Sequence, residues 1–200
     1  MMWLVNPEEV GPYTWGHDNA LSKEGWNCLE EYVKKNPSSK AEIINSQVKD
    51  SGFTEDEIRD TDITWISSET EETRELYFNM ARLIENANNQ FFHYNLSMVE
   101  TLQHSVYNAP TGHYDWHIDA MHKGQHGLTR KISFSVGLND PNEYEGGELV
   151  IGAPGKYSTS FKLEKNQIIF FNSIVTHKVN PVTRGVRKSL VGWAKGPNFV

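Results

Sequence analysis

Only one cysteine, Cys28, occurs in the 200 residues. That excludes a disulfide framework and any zinc site built on several thiolates. Cys28 falls beside Leu29 in a helical pattern and reads as a structural thiol. Cations are outnumbered: 19 Lys and Arg stand against 26 Asp and Glu, a formal net charge of −7. A broad nucleic-acid footprint needs clustered Lys and Arg, so no nucleic-acid partner is expected, although a local basic pocket stays open. No apolar run approaches the ~20 residues that cross a bilayer, so no membrane partner is expected. Residues 1–7 lack a basic start and lead into Glu8 and Glu9, unlike a secretory leader. Together these absences predict a cytoplasmic protein. Internal repeats, low-complexity tracts and long linkers are missing too.

What is present suits a packed core. Hydrophobic residues make up 38% and aromatics 12% of the chain, too much for disorder. This length predicts a single domain over residues 1–200, helical to about 90 and β-rich from about 91 to 195. Ser22 is placed to cap a helix on which Trp26, Leu29, Tyr32 and Val33 recur at helical spacing. Lys34, Lys35, Asn36 and Pro37 end it. Thr54-x-x-Glu57 suggests a short helical turn, and residues 63–66 an extended piece. Ser68-x-x-Glu71 reads as a capping box for a second helix that buries Leu76, Met80, Leu83, Ile84 and Ala87. The acidic cluster 69–75 then marks a helix start rather than a metal site.

Beyond residue 90 short β-prone runs alternate with turn residues. Strands are expected over 91–96, 102–108, 114–119, 131–138, 148–151, 159–163, 167–171, 177–179 and 186–194. Helices followed by many short strands indicate an α+β protein, with N-terminal helices buttressing a double-stranded β-helix, the cupin-like jelly roll.

His117-x-Asp119 lies in one of these runs. Residues two apart on a strand share a face, so an imidazole and a carboxylate point into one space. His177, after the apolar run 168–171, is the candidate third ligand. Two His and one carboxylate form the triad that holds non-haem Fe(II) with coordination positions left open. Arg187 follows ten residues later, beyond a loop expected over 180–185 that joins two antiparallel strands. An Arg inside a β-barrel needs an anionic partner, and a carboxylate matches its fork. Ser189 would add a hydroxyl to the same carboxylate. Arg184 competes for that role but falls in the turn beside Gly185. Asp115 shares the face of His117 and is as readily solvated as catalytic. His17, His93 and His104 have no evident partners, His113 reads as a surface group or a support for His117, His122 and His126 as solvated residues of the loop 120–129, and Gly146-Gly147 as a strand-entry turn.

With these residues in place the chain resembles the Fe(II)/2-oxoglutarate-dependent dioxygenases, within them the prolyl-4-hydroxylase-like group that includes PKHD-type hydroxylases. The resemblance runs from about Trp65 to Ala194. It is carried by Val106-Tyr107-Asn108-Ala109-Pro110, Trp116-His117-Ile118-Asp119, the run 130–138, Gly146-Gly147-Glu148-Leu149, and His177 with Pro181-Val182-Thr183-Arg184-Gly185-Val186-Arg187. It implies Fe(II) on His117, Asp119 and His177, and 2-oxoglutarate on Arg187 with Tyr107. Catalysis is then left to the iron centre, with O2 consumed, succinate and CO2 released, and ascorbate as a supporting reductant. It further implies that Tyr114, Arg130 and Trp193 contact a target proline, with residues 120–129 as a lid. A prolyl residue in a peptide or protein is thus the expected substrate. A free amino acid, small metabolite or nucleobase is the alternative, and a non-catalytic cupin-like metal binder or sensor a third. One position departs from the pattern. Relatives acting on larger proteins often carry a second Tyr on the third strand, where this chain has Gly137. The cosubstrate pocket must then be closed differently.

Overall fold

The computed structural model describes residues 14–41, 55–120 and 127–198. Helix α1 (Lys23–Lys35) starts as expected: the Ser22 hydroxyl oxygen accepts from the Gly25 N–H at 3.1 Å. At its far end the Asn36 backbone N–H and side-chain amide both donate to the Tyr32 carbonyl, and Lys34 and Lys35 complement the helix dipole. Helix α2 (Glu55–Ile58) is the short turn expected near Thr54, which itself lies outside the described residues. Helix α3 (Arg74–Ala87) buries Leu76, Met80, Leu83, Ile84 and Ala87, as the spacing predicts.

Its entry differs from expectation. The Ser68 capping box is not used; a 3₁₀ turn, Glu71–Thr73, precedes the helix without a side-chain cap. The Thr73 hydroxyl donates to the Ser67 carbonyl at 2.6 Å, so the turn is anchored from within and the helix begins later. The strand expected over 91–96 is also absent. A π-helical turn, Asn88–Phe92, continues α3 and ends at His93 with φ 56°. The Asn88 side chain then brackets Tyr94, donating to its carbonyl and accepting from its N–H. These backbone groups are satisfied by a side chain, which removes the need for a sheet partner.

The strands are β1 (Thr14–His17), β2 (Ser39–Lys40), β3 (Arg59–Asp60), β4 (Asp62–Ile66), β5 (Met98–Val99), β6 (Leu102–Asn108), β7 (His113–His117), β8 (Leu128–Gly137), β9 (Tyr144–Gly146), β10 (Leu149–Gly152), β11 (Ser158–Phe161), β12 (Ile168–Asn172), β13 (His177–Val179) and β14 (Val182–Pro197). One sheet runs β1-β12-β8-β14-β6-β4-β2, with β5 and β9 also on β14; the other runs β11-β10-β13-β7-β3. All pairings are antiparallel, and the two sheets face each other as the jelly roll expected. The helical and β parts are less separate than the sequence suggests, because β1, β2 and β4 join the larger sheet.

The loop expected over 180–185 does not join a hairpin. β13 belongs to the smaller sheet and β14 to the larger, and β14 already begins at Val182, paired there with β9. Arg187 therefore lies inside a strand rather than at its start. The outer face of the larger sheet carries Ile132, Phe134, Val136, Ile168, Phe170 and Leu190, packed under α1 and α3. A second apolar cluster, including Tyr107, Tyr144, Leu149, Ile151, Phe171 and Val182, closes one end of the space between the sheets.

Candidate active site

His117 and His177 stand opposite each other on β7 and β13, with ring centroids 4.1 Å apart. Each Nδ1 meets a backbone carbonyl, that of Asp115 at 2.7 Å and that of Val175 at 3.0 Å. A carbonyl only accepts, so each Nδ1 carries a proton, and Nε2 is the nitrogen left to offer a lone pair to a metal. Those lone pairs face Asp119: His117 Nε2 is 3.8 Å from Oδ1 and His177 Nε2 3.4 Å from Oδ2. Asp119 lies two residues past β7, where its N–H donates to the Ser173 carbonyl. Its carboxylate accepts from the Ser133 hydroxyl of β8 at 2.7 Å, so it bridges the two sheets.

Burial and the His177 imidazole push the His117 pKa down to about 3. Burial acts to raise that of Asp119, but the two imidazoles, Arg130 and the Ser133 hydroxyl outweigh it and hold it at about 2. At neutral pH His117 is a neutral imidazole and Asp119 a carboxylate, both ready to bind a metal. The three ligand atoms lie within 4.8 Å of one another. Two imidazoles and one carboxylate, with no thiolate, fit Fe(II) and leave positions open for other ligands.

Arg187 sits opposite Tyr107 across β14 and β6, its guanidinium carbon 5.0 Å from that ring centre. One of its Nη atoms donates to the Ser189 hydroxyl at 3.1 Å. Arg187 is only 4% exposed, yet among the described residues no carboxylate pairs with it. A buried, unopposed guanidinium is costly, and a carboxylate ligand would complete it. Ser135, beside Val191 on the same inner face, is 4% exposed and its hydroxyl has no partner. Arg184, the rival, is exposed and pairs with Glu145 at 2.8 Å.

Residues 102–195 match the family model of the 2OG-Fe(II) oxygenase superfamily. The matched region is just under half of the chain and holds the triad and Arg187. The chain is 38% identical to a PKHD-type hydroxylase of Crocosphaera subtropica over 96 residues, 48% of this chain and 42% of that relative. It thus spans less than half the length of the curated relative it matches. Among solved structures, a prolyl-4-hydroxylase of Pseudomonas putida superposes with TM-score 0.67 at 20% identity, covering 94% of both chains. A prolyl hydroxylase from Trichoplax adhaerens, in complex with a hypoxia inducible factor oxygen degradation domain peptide fragment, gives TM-score 0.68 at 17% identity over 92% of this chain and 83% of that one. These likenesses establish the jelly-roll fold. Fe(II) and 2-oxoglutarate, which the family's name carries, are the groups that the triad and Arg187 fit.

The three residues expected to meet substrate gather beside the triad. Tyr114 stacks on His117, ring centroids 3.6 Å apart, with the Arg59 guanidinium 4.5 Å from the Tyr114 ring. Trp193 is buried, and Arg130 lies 3.7 Å over its ring. Arg130 Nε and Nη2 donate to Glu100 at 2.8 and 3.0 Å, and Nη1 reaches within 3.9 Å of Asp119. Sequence reasoning missed Glu100 and Ser133. Glu100 and Ser133 carry no local signal, since their partners lie 30 and 14 residues away.

The remaining candidates fall away from the site. Both His113 ring nitrogens meet backbone carbonyls, of Thr111 and Glu57. Asp115 is exposed and its carboxylate caps the Trp116 N–H. His17 and His93 are exposed, and His104 is buried on the outer side of β6. His122, His126 and most of the expected lid lie outside the described residues. Gly146 and Gly147 have φ of 73° and 69°, as a tight strand-entry turn requires.

Proposed function

We propose that this protein is an Fe(II)/2-oxoglutarate-dependent dioxygenase that hydroxylates a prolyl residue in a peptide. One observation carries the reading: a triad of two imidazoles and a carboxylate shares its barrel with a buried Arg187 that no carboxylate among the described residues neutralises. A bare metal-binding or sensor protein has no use for that guanidinium. Fe(II) with 2-oxoglutarate and O2 supplies C–H hydroxylation, releasing succinate and CO2.

The chain's own residues hold and orient. His117, Asp119 and His177 fix the metal, and Ser133 fixes Asp119. Arg187 and Ser189 would hold the distal carboxylate of 2-oxoglutarate, with Tyr107 beside them. Tyr114 and Trp193 would border the seat of a compact apolar pyrrolidine ring. Arg130, held by Glu100, keeps Nη1 for a peptide carbonyl, as a proline within a peptide has no N–H to offer. The peptide-bound Trichoplax relative supports a peptide over a free amino acid. No helix among the described residues is long and apolar enough to cross a membrane.

The test supplies Fe(II), 2-oxoglutarate, ascorbate and proline-containing peptides. Succinate release should rise with peptide, and the peptide should gain one oxygen atom by mass. Tyr114→Ala and Trp193→Ala should abolish that gain while slow, uncoupled succinate release persists. If proline is ignored in every context, the substrate assignment is wrong and the metal and cosubstrate assignments stand.

A further inference from the structure

The position where related hydroxylases carry a second tyrosine is Gly137, and here no side chain fits. A Cβ on Gly137 would lie 2.5 Å from the Glu164 carbonyl oxygen and 3.1 Å from Leu163 Cβ. The turn after Leu163 fills that corner, tied to Gly137 by two backbone hydrogen bonds, Gly137 N to Gln167 O and Asn166 N to Gly137 O. The phenol therefore has to come from elsewhere. β9 lays Tyr144 against Gly185 of β14, two residues from Arg187 and on the same face. Tyr144 is 4% exposed. Burial raises its pKa, and the charge and side-chain hydrogen bond of Arg187 partly offset that rise. Gly147 makes room for both side chains: a Cβ there would come 2.9 Å from Arg187 Cδ and 3.3 Å from Tyr144 Cε2. Lys162 pins Tyr144 from outside, donating to its carbonyl at 3.1 Å.

We propose that Tyr144 completes the carboxylate seat, its hydroxyl donating with Arg187 and Ser189 to the distal carboxylate of 2-oxoglutarate. This rests on the cosubstrate reading of Arg187. It assigns the closing role to the segment before Gly146-Gly147 instead of to the third strand of the domain. A phenol held protonated by burial is a donor at every working pH, which suits a fixed anion seat.

The experiment uses the full-length chain loaded with Mn(II), which occupies the triad without turnover. Calorimetry measures the binding of 2-oxoglutarate and of oxalate; oxalate chelates the metal but has no distal carboxylate. Tyr144→Phe keeps the ring and removes only the hydroxyl. Its Kd for 2-oxoglutarate should rise about ten-fold, the usual scale for losing a hydrogen bond to a charged group. Its Kd for oxalate and for Mn(II), and its melting temperature, should match the parent. Unchanged 2-oxoglutarate binding overturns the proposal, and so does an equal loss of 2-oxoglutarate and oxalate. A parent protein that binds oxalate but not 2-oxoglutarate removes the cosubstrate reading itself, and this proposal with it.

Discussion

The two faces of β8 are equally buried and chemically opposite. Ile132, Phe134 and Val136 face outward under the helices; Ser133 and Ser135 face inward, with neighbouring β14 adding Arg187 and Ser189. The outer face gains stability by excluding water from apolar surface. The inner face gives up that gain: it holds a hydroxyl without a partner at Ser135, an unopposed cation at Arg187 and a carboxylate at Asp119. Buried polar groups are normally satisfied within the protein. Among the described residues of the inner face, the Ser135 hydroxyl and the Trp193 indole N–H are not, and Arg187 has no carboxylate, which marks the face as shaped for ligands.

Substitutions on neighbouring residues sharpen that contrast. Phe134→Ala should cost about 3–5 kcal/mol of folding stability, as large-to-small changes in a packed core do. Ser135→Ala, the adjacent residue on the other face, should be near neutral, because its hydroxyl gives up no bond in the protein. Denaturant unfolding of both variants decides, and equal losses would erase the distinction between the faces.

His104 is the polar exception on the outer side of β6. Burial, with Lys188 adding to it, lowers its pKa from 6.5 to about 4. The unfolded chain therefore binds a proton between those values that the folded chain does not. Stability should be full above about pH 6.5 and fall by up to about 3 kcal/mol on acidification to about pH 4. His104→Gln should flatten that part of the profile, and an unchanged profile would remove the assignment.

Arg187→Met should stabilise the ligand-free protein by about 2 kcal/mol, since an unopposed buried cation is replaced by an apolar side chain. The same change should abolish 2-oxoglutarate binding, and Arg187→Lys should weaken it roughly ten-fold by losing the two-pronged geometry. Arg184→Ala, at an exposed pair, should alter stability by less than about 1 kcal/mol and binding not at all. Matching effects at 184 and 187 would contradict the placement of the seat.

The alternation that produces the two faces is legible in the sequence, as Ile132-Ser133-Phe134-Ser135-Val136. So are the spacing of His117, Asp119, His177 and Arg187 and the buried stripe of α3. The alternation and the stripe are patterns that local periodicity imposes; the grouping of the four site residues came from the family resemblance, and Asp119 joins it from beyond β7 rather than from a shared strand face. What was not legible depends on partners far along the chain. The capping box at Ser68 gave way to the Thr73–Ser67 bond, and the strand over 91–96 to the Asn88–Tyr94 bracket. The hairpin expected between β13 and β14 failed because a short loop says nothing about which sheet each strand joins. Tyr144 beside Arg187 comes from sheet register, and Glu100 under Arg130 from the bond of its N–H to the Trp193 carbonyl; single residues announce neither.

The most direct test of the account is metal content. Parent protein incubated anaerobically with Fe(II) and desalted should carry a single Fe(II) per chain by elemental analysis. The double variant His117→Ala/His177→Ala should carry none while keeping its fold by circular dichroism. Iron retained at parental stoichiometry in a folded double variant would contradict the claim that the inner face is built around this triad.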